Sequence, residues 1–192
     1  MQPATAAVAA LIAGITPYDE LEQRHAAKVS AWLDSTDDIF RRTKPATPSP
    51  HLVSYVVLTD PDARAIYLGR HRKAGLHLPM GGHVDPGEHP SATAHREAVE
   101  ELALTPTFDV IGPHPVFLTW TTTVGLTAGH IDVSLWYVIR GDHTRTYPLD
   151  PTEFDGGQWW PLAPSDLPPT DPHLPRFIGK LNTLLAQTRE PK

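Results

Sequence analysis

The spacing of apolar positions changes period along the chain. Leu21, His25, Val29, Trp32 and Leu33 recur at helical spacing, and Thr16 with Pro17 ahead of them reads as a cap and a first helical residue. The Ala-rich stretch from Ala4 to Ile15 reads as a leader or a first helix, and Arg41 to Pro50, "RRTKPATPSP", as an extended proline-rich linker. From His51 onward the texture is that of strands rich in β-branched and aromatic residues: "LVSYVVLT", "RAIYLGRHR", "GLHLPMGGH", "TFDVIG", "PVFLTWTTTV", "HIDVSLWYVIR" and "GGQWWPL". One acidic helix interrupts them. At the end, Phe177, Ile178, Leu181, Leu184 and Leu185 share a face of a predicted closing helix. The pattern predicts an α/β fold, a mixed β-sheet flanked by helices, with residues 1–50 as an N-terminal helical extension and linker and residues 51–192 as the main domain.

Composition narrows the classes. With 192 residues, 40% of them apolar, the chain can bury a proper core. A formal charge of −6 argues against bulk nucleic-acid binding, and no stretch approaches the roughly 20 apolar residues of a membrane span. The absence of cysteine excludes disulfides, thiolate metal sites and a cysteine nucleophile, and it fits a cytoplasmic protein. The 11 histidines are scattered, and His71/His77 and His83/His89 lack zinc-ligand spacing with a partner pair, so zinc is not expected.

The chemistry concentrates in "GGHVDPGEHPSATAHREAVEEL", Gly81 to Leu102. Pro90 suits a first helical turn, and no breaker follows before Thr105 and Pro106. At about 100° per residue, Glu97, Glu100 and Glu101 fall in one narrow arc, with Arg96 at the i, i+4 spacing from Glu100. Charge runs are usually solvated faces. Converging carboxylates repel one another unless cations neutralise them, however, and hard oxygen donors on a rigid helix suit Mg²⁺ or Mn²⁺ together with phosphate oxygens. Glu88 is placed to fold back toward Arg96. The glycines upstream permit close backbone approach to a ligand.

Gly82, Glu88, Arg96, Glu97, Glu100 and Glu101 reproduce the spacing G-x5-E-x7-R-E-U-x-E-E-x-G-U, which resembles the signature of the Nudix hydrolases, U being a bulky aliphatic residue. Ala98 and Ala103 depart from it, the second standing where the family has glycine; either Ala103 adopts a left-handed backbone at a cost of roughly 1 kcal/mol, or the helix continues past it. The resemblance implies a Nudix-type α/β/α sandwich and hydrolysis of a nucleoside diphosphate linked to another moiety, with a small-molecule nucleotide as substrate. It further implies Glu97, Glu100 and Glu101 as metal ligands, Glu88 and Arg96 as braces of the loop, and Gly81 and Gly82 as backbone contacts. The family's general base is either a box glutamate or one from a later loop; Glu153, in "LDPTEFDGGQWW", ranks first here and Glu101 second, with an exposed loop carboxylate an equally good reading of Glu153. Arg70 and Lys73, in "GRHRKAGLH", are candidates to bind phosphate. Asp132 and Trp136 share a strand face that could line a nucleotide pocket, although a core Trp is the commoner case.

The markers of dinucleoside-polyphosphate and ADP-ribose members, expected near "LTWTTT", are absent, which favours a nucleoside triphosphate such as an oxidised guanine nucleotide. The alternative is a non-catalytic Nudix-fold module that binds a nucleotide. An isomerase is disfavoured by the missing cysteine. Residues 1–50 could cover the pocket, mediate a homodimer or cap the sheet.

Overall fold

A computed structural model describes residues 1–44, 47–124 and 129–189. The elements run α1 (Pro3–Ala13), α2 (Glu20–Ser35), β1 (His51–Asp60), β2 (Ala65–His71), β3 (Leu76–Leu78), β4 (Met80–His83), α3 (Pro90–Leu102), β5 (Phe117–Thr122), β6 (Ile131–Arg140), β7 (Phe154–Pro161) and α4 (Leu174–Arg189). They build the expected α/β sandwich around a seven-stranded mixed sheet. β1 lies at its centre, parallel to β6 along one edge and antiparallel to β4 and β2 along the other.

Alternation in the central strands feeds two cores. Leu52, Val56 and Leu58 of β1, with Val133, Leu135, Tyr137 and Ile139 of β6, pack with α3 through Ala94, Ala98 and Leu102 and with α1 and α2 through Val8, Ile12, Val29 and Leu33. Val57, Trp136 and Val138 point the other way, onto Leu174, Phe177, Ile178, Leu181 and Leu185 of α4. Each fully buried side chain of this size contributes about 1.5–3 kcal/mol, so α4 is held by its apolar face rather than by propensity. The small Ala98, in place of a bulkier aliphatic residue, is fully buried in the close approach of α3 to the sheet.

Two expectations need correction, and the reading of Trp136 as a core residue holds. The second helix begins at Glu20 rather than beside Thr16 and Pro17, because the Asp19 carboxylate accepts from the Glu22 amide at 2.8 Å and is itself held by Arg176. "TFDVIG" forms no strand: Pro106 and Pro113 flank it, both without a backbone donor, and Gly112 takes φ 124°. Trp136 is fully buried and stacks on Phe177 with ring centroids 5.1 Å apart, so it is out of reach of any base.

Residues 1–50 share the core instead of hanging from it, since Ile15, Trp32 and Ile39 are buried with the sheet residues. Their deepest tie is polar. Glu22, fully buried, meets Lys180 of α4 at 2.9 Å and accepts from the Leu118 amide of β5 at 3.1 Å.

Helix α3 ends at Ala103 in a left-handed conformation, φ 49° and ψ 39°, which settles the choice between a left-handed cap and a longer helix. An alanine there carries steric strain that glycine avoids. Ala103→Gly is therefore expected to stabilise the protein by roughly 0.5–1 kcal/mol, the strain relieved exceeding the entropy glycine adds to the unfolded chain. Urea unfolding checks this, and a loss of stability would remove strain at Ala103 from the account.

Candidate active site

The acidic helix lies across the sheet beside the turn that joins β4 to α3. Pro90 opens α3, His89 caps it by accepting from the Ser91 amide, and Ser54 of β1 donates to the Pro90 carbonyl at 2.8 Å. These contacts fix the helix so that Glu97 and Glu101 face inward over Gly82 and Gly81.

The three carboxylates are not equivalent. Glu97 and Glu101 are 8% and 5% exposed, whereas the Glu100 side chain is 57% exposed and pairs with Arg96 at 3.2 Å. The glycines explain the inward pair. A Cβ on Gly82 would collide with the Glu97 carboxylate, so only glycine leaves that carboxylate room. Gly81 takes φ 150° and presses against the β1 backbone at Ser54, and its N–H donates to Glu101 Oε2 at 2.8 Å. The Gly81 amide thus serves a carboxylate of the site, where the sequence suggested a contact with ligand.

Burial governs the charges here. Desolvation raises the Glu97 pKa, with Arg96 opposing it. It lifts Glu101 to about 8 against the Gly81 hydrogen bond, and the negative charges of Glu97, Glu153 and Asp150 add to the rise. Two inward carboxylates that resist ionisation, a third at the rim, an all-oxygen donor set and a glycine hollow fit a hard divalent cation. Glu97, Glu100 and Glu101 are the residues that could hold it, with their oxygens set wider apart than a closed metal cluster.

Arg96 and Glu88 lock the turn. Glu88 accepts from Arg96 Nη2 at 3.1 Å, from Thr93 Oγ1 at 2.7 Å and from the Asp85 amide at 3.3 Å. Burial works against its charge, and these donors outweigh burial to hold its pKa below the ordinary value. Arg96 reaches further, to Glu97 at 2.7 Å and to the His83 carbonyl at 3.3 Å.

Glu97 and Glu100 line a cleft of about 530 Å³ that also receives Lys73, Glu153 and, from the segment before β1, Arg41 and Lys44. Glu153 is close enough for its charge to raise both Glu97 and Glu101. Arg70 is exposed on β2 opposite His77 and does not line the cleft, so the structure separates it from Lys73. A depression of about 510 Å³ beside α1, lined by alanines, Leu11, Gly14, His89 and His114, holds no carboxylate. Sequence reasoning missed Arg41, Lys44, His83 and His130 as cleft residues; their place depends on the pairing of β1 with β4 and β6, which no local pattern announces.

The described residues include no helix long and apolar enough to cross a membrane. A mixed sheet between helical layers thus carries a glycine turn and an inward glutamate pair. A family model described as the NUDIX domain matches residues 49–180, most of the chain, and the protein belongs to the Nudix family. No curated protein matches it. Among solved structures, a hydrolase of the NUDIX family from Clostridium perfringens is 20% identical, covering 71% of this chain and 99% of its own, with a TM-score of 0.54. The dihydroneopterin triphosphate pyrophosphohydrolase of E. coli is 15% identical, covering 71% and 95%, with a TM-score of 0.54. The NUDIX domain of Shewanella oneidensis NrtR, solved with ADP-ribose, is 19% identical, covering 76% and 94%, with a TM-score of 0.56. At these identities the likeness is one of fold.

Proposed function

We propose that this protein is a Mg²⁺-dependent pyrophosphohydrolase, with Mn²⁺ as a substitute ion, that cleaves a nucleoside diphosphate linked to another moiety, a nucleoside triphosphate being the first candidate. The observation that carries the reading is the buried Glu97–Glu101 pair beneath the glycine turn, with Glu97 lining a cleft that also receives cationic side chains. When bound at these carboxylates, a divalent ion neutralises phosphate charge and lowers the pKa of water. The chain's own residues do the rest. Lys73, Arg41 and Lys44 draw the polyphosphate into the cleft and balance its charge. Glu88 and Arg96 hold the turn, keeping Gly82 clear of Glu97. Glu153, on the loop before β7, is the first candidate to take a proton from the attacking water, and Glu101 is the second. Arg70 has no part in this reading. A cytoplasmic location agrees with the cysteine-free sequence.

The test is a screen of nucleoside triphosphates and other nucleoside diphosphate derivatives with Mg²⁺, following phosphate and pyrophosphate release, beside Glu100→Gln and Glu153→Gln. Cleavage of at least one substrate by the wild type is expected. Glu153→Gln should lower kcat about 100-fold or more with little change in KM, the scale of a lost general base. Turnover near wild type in that variant would move the base to Glu101. A wild type that binds nucleotides and cleaves none would replace the enzyme by a nucleotide-binding module, the reading that the neighbour solved with ADP-ribose also allows.

A further inference from the structure

Zinc is unexpected from the linear spacing of the histidines, yet three strands bring four donors together. His51 opens β1, His83 closes β4, His130 precedes β6 and Asp132 is its second residue; one ligand atom from each lies within 4.8 Å of all the others. Direct pairing of β1 with both β4 and β6 produces this convergence, with His51 opposite Asp132 in register. His83, His130 and Asp132 line the same cleft as Gly82 and Glu97, and His51 is fully buried.

The hydrogen bonding of His51 fixes its neutral tautomer, and the other two rings gather beside it. His51 Nδ1 lies 2.6 Å from the Pro48 carbonyl, which can only accept, so Nδ1 carries the proton and Nε2 presents a lone pair. His130 Nδ1 lies 3.1 Å from Thr123 Oγ1, a contact that either partner can donate, and its Nε2 turns toward Asp132. The Nε2 atoms of His51 and His130 face one oxygen, Asp132 Oδ1, at 3.0 and 3.3 Å. His51 Nε2, His83 Nε2 and Asp132 Oδ1 are all buried without a hydrogen-bond partner, and His51 is fully buried. Lone pairs packed against a carboxylate repel unless a positive charge sits among them. Arg41 attracts Asp132 from a distance, but Asp132 Oδ1 accepts from no donor.

We infer that His51 Nε2, His83 Nε2, His130 Nε2 and Asp132 Oδ1 bind a second metal ion of the zinc class, distinct from the cation of the glutamate box. The donor set is that of borderline metals, three imidazoles and a carboxylate, rather than the all-oxygen set of Mg²⁺. Zinc–nitrogen bonds of about 2.0–2.1 Å in a tetrahedron place ligand atoms roughly 3.3 Å apart, close to the two edges that Asp132 makes. The Pro48 carbonyl and Thr123 hydroxyl orient two of the rings in the manner of outer-shell partners. Four protein donors close the shell, so the ion is structural: it ties the ends of β4, β1 and β6 together and steadies the turn that carries Gly82.

The experiment uses the full chain, stripped of metal and then saturated with Mg²⁺, and titrates it with Co²⁺ as a spectroscopic substitute for Zn²⁺. One Co²⁺ per chain with the visible bands of a tetrahedral site is expected. His130→Gln and Asp132→Asn should each weaken it at least tenfold, whereas Glu97→Gln should not. Zn²⁺ should displace the Co²⁺ and raise Tm. X-ray absorption on the zinc-loaded wild type, which depends on no variant, should show imidazole scattering. The inference is overturned if no tetrahedral Co²⁺ site forms, if the metal shell is oxygen alone, or if Co²⁺ binding is lost in Glu97→Gln and kept in folded His130→Gln. None of these results depends on whether a nucleotide is cleaved.

Discussion

Replacing Lys180 by methionine is expected to cost the fold about 3–5 kcal/mol, the scale for a buried ion pair that loses one partner. Glu22 is fully buried, and Lys180 contacts both of its carboxylate oxygens, at 2.9 and 3.0 Å. Burial pulls the Lys180 pKa down while Glu22 draws it back up, so the pair is charged at a desolvation cost that only mutual contact offsets. Without the ammonium, Glu22 keeps the amides of Leu118 and Tyr18 as donors at 3.1 and 2.6 Å, which is too little to neutralise a full charge. Adding Glu22→Leu should recover part of the loss and no more, because those amides would then be orphaned. Urea unfolding of both variants checks this. A loss below about 1 kcal/mol in Lys180→Met would show that the pair is not truly desolvated. Lys180 does not line the cleft, so turnover per folded molecule should be unaltered.

That pair also marks where sequence reading stops. Glu22 and Lys180 stand 158 positions apart, and nothing near either predicts the other. The acidic helix was legible because everything that makes it is local: Pro90, the absence of a breaker, and charges at helical spacing. Glu88 and Arg96 were legible for the same reason, eight positions apart across one turn. The central strands and the mixed sandwich followed from β-branched alternation, and the Nudix membership from the spacing of six residues. Alternation failed at "TFDVIG", where prolines remove donors that a ladder needs.

The arc of glutamates was legible, but not its depth. Helical geometry places Glu97, Glu100 and Glu101 on one arc; only the packing of α3 on the sheet tells that two are buried and one is exposed. The histidine cluster lay beyond reach, since it joins residues 51, 83, 130 and 132 through strand order and parallel register. Spacing rules for metal ligands describe ligands on one hairpin or helix, and a site assembled from three strands escapes them.

Glu101→Gln should lower turnover about a thousandfold or more, roughly 4 kcal/mol of barrier, and at the same time make the metal-free protein more stable at pH 8. Both effects follow from the proposed role of Glu101 as a buried carboxylate that a cation completes. Desolvation raises the Glu101 pKa from the usual 4.5 to about 8, with the Gly81 N–H opposing and Glu97, Glu153 and Asp150 adding to it. The folded protein therefore holds the proton more tightly than the unfolded chain does. Its contribution to stability is complete below about pH 4.5, declines as pH rises through the window to about 8, and is absent above it. Glutamine stays neutral and can still accept from Gly81, so the variant escapes that decline. Between pH 5 and 8, in EDTA, the wild type should lose stability relative to Glu101→Gln by an amount on the order of 2–4 kcal/mol. Comparing the two proteins cancels other titrating groups, such as Asp171, which burial raises to about 6. Mg²⁺ should then stabilise the wild type by mass action and leave the variant unmoved. Urea unfolding across pH, with and without Mg²⁺, measures all of this. If the two proteins keep parallel pH profiles and the variant retains turnover, Glu101 neither strains the fold nor holds the ion.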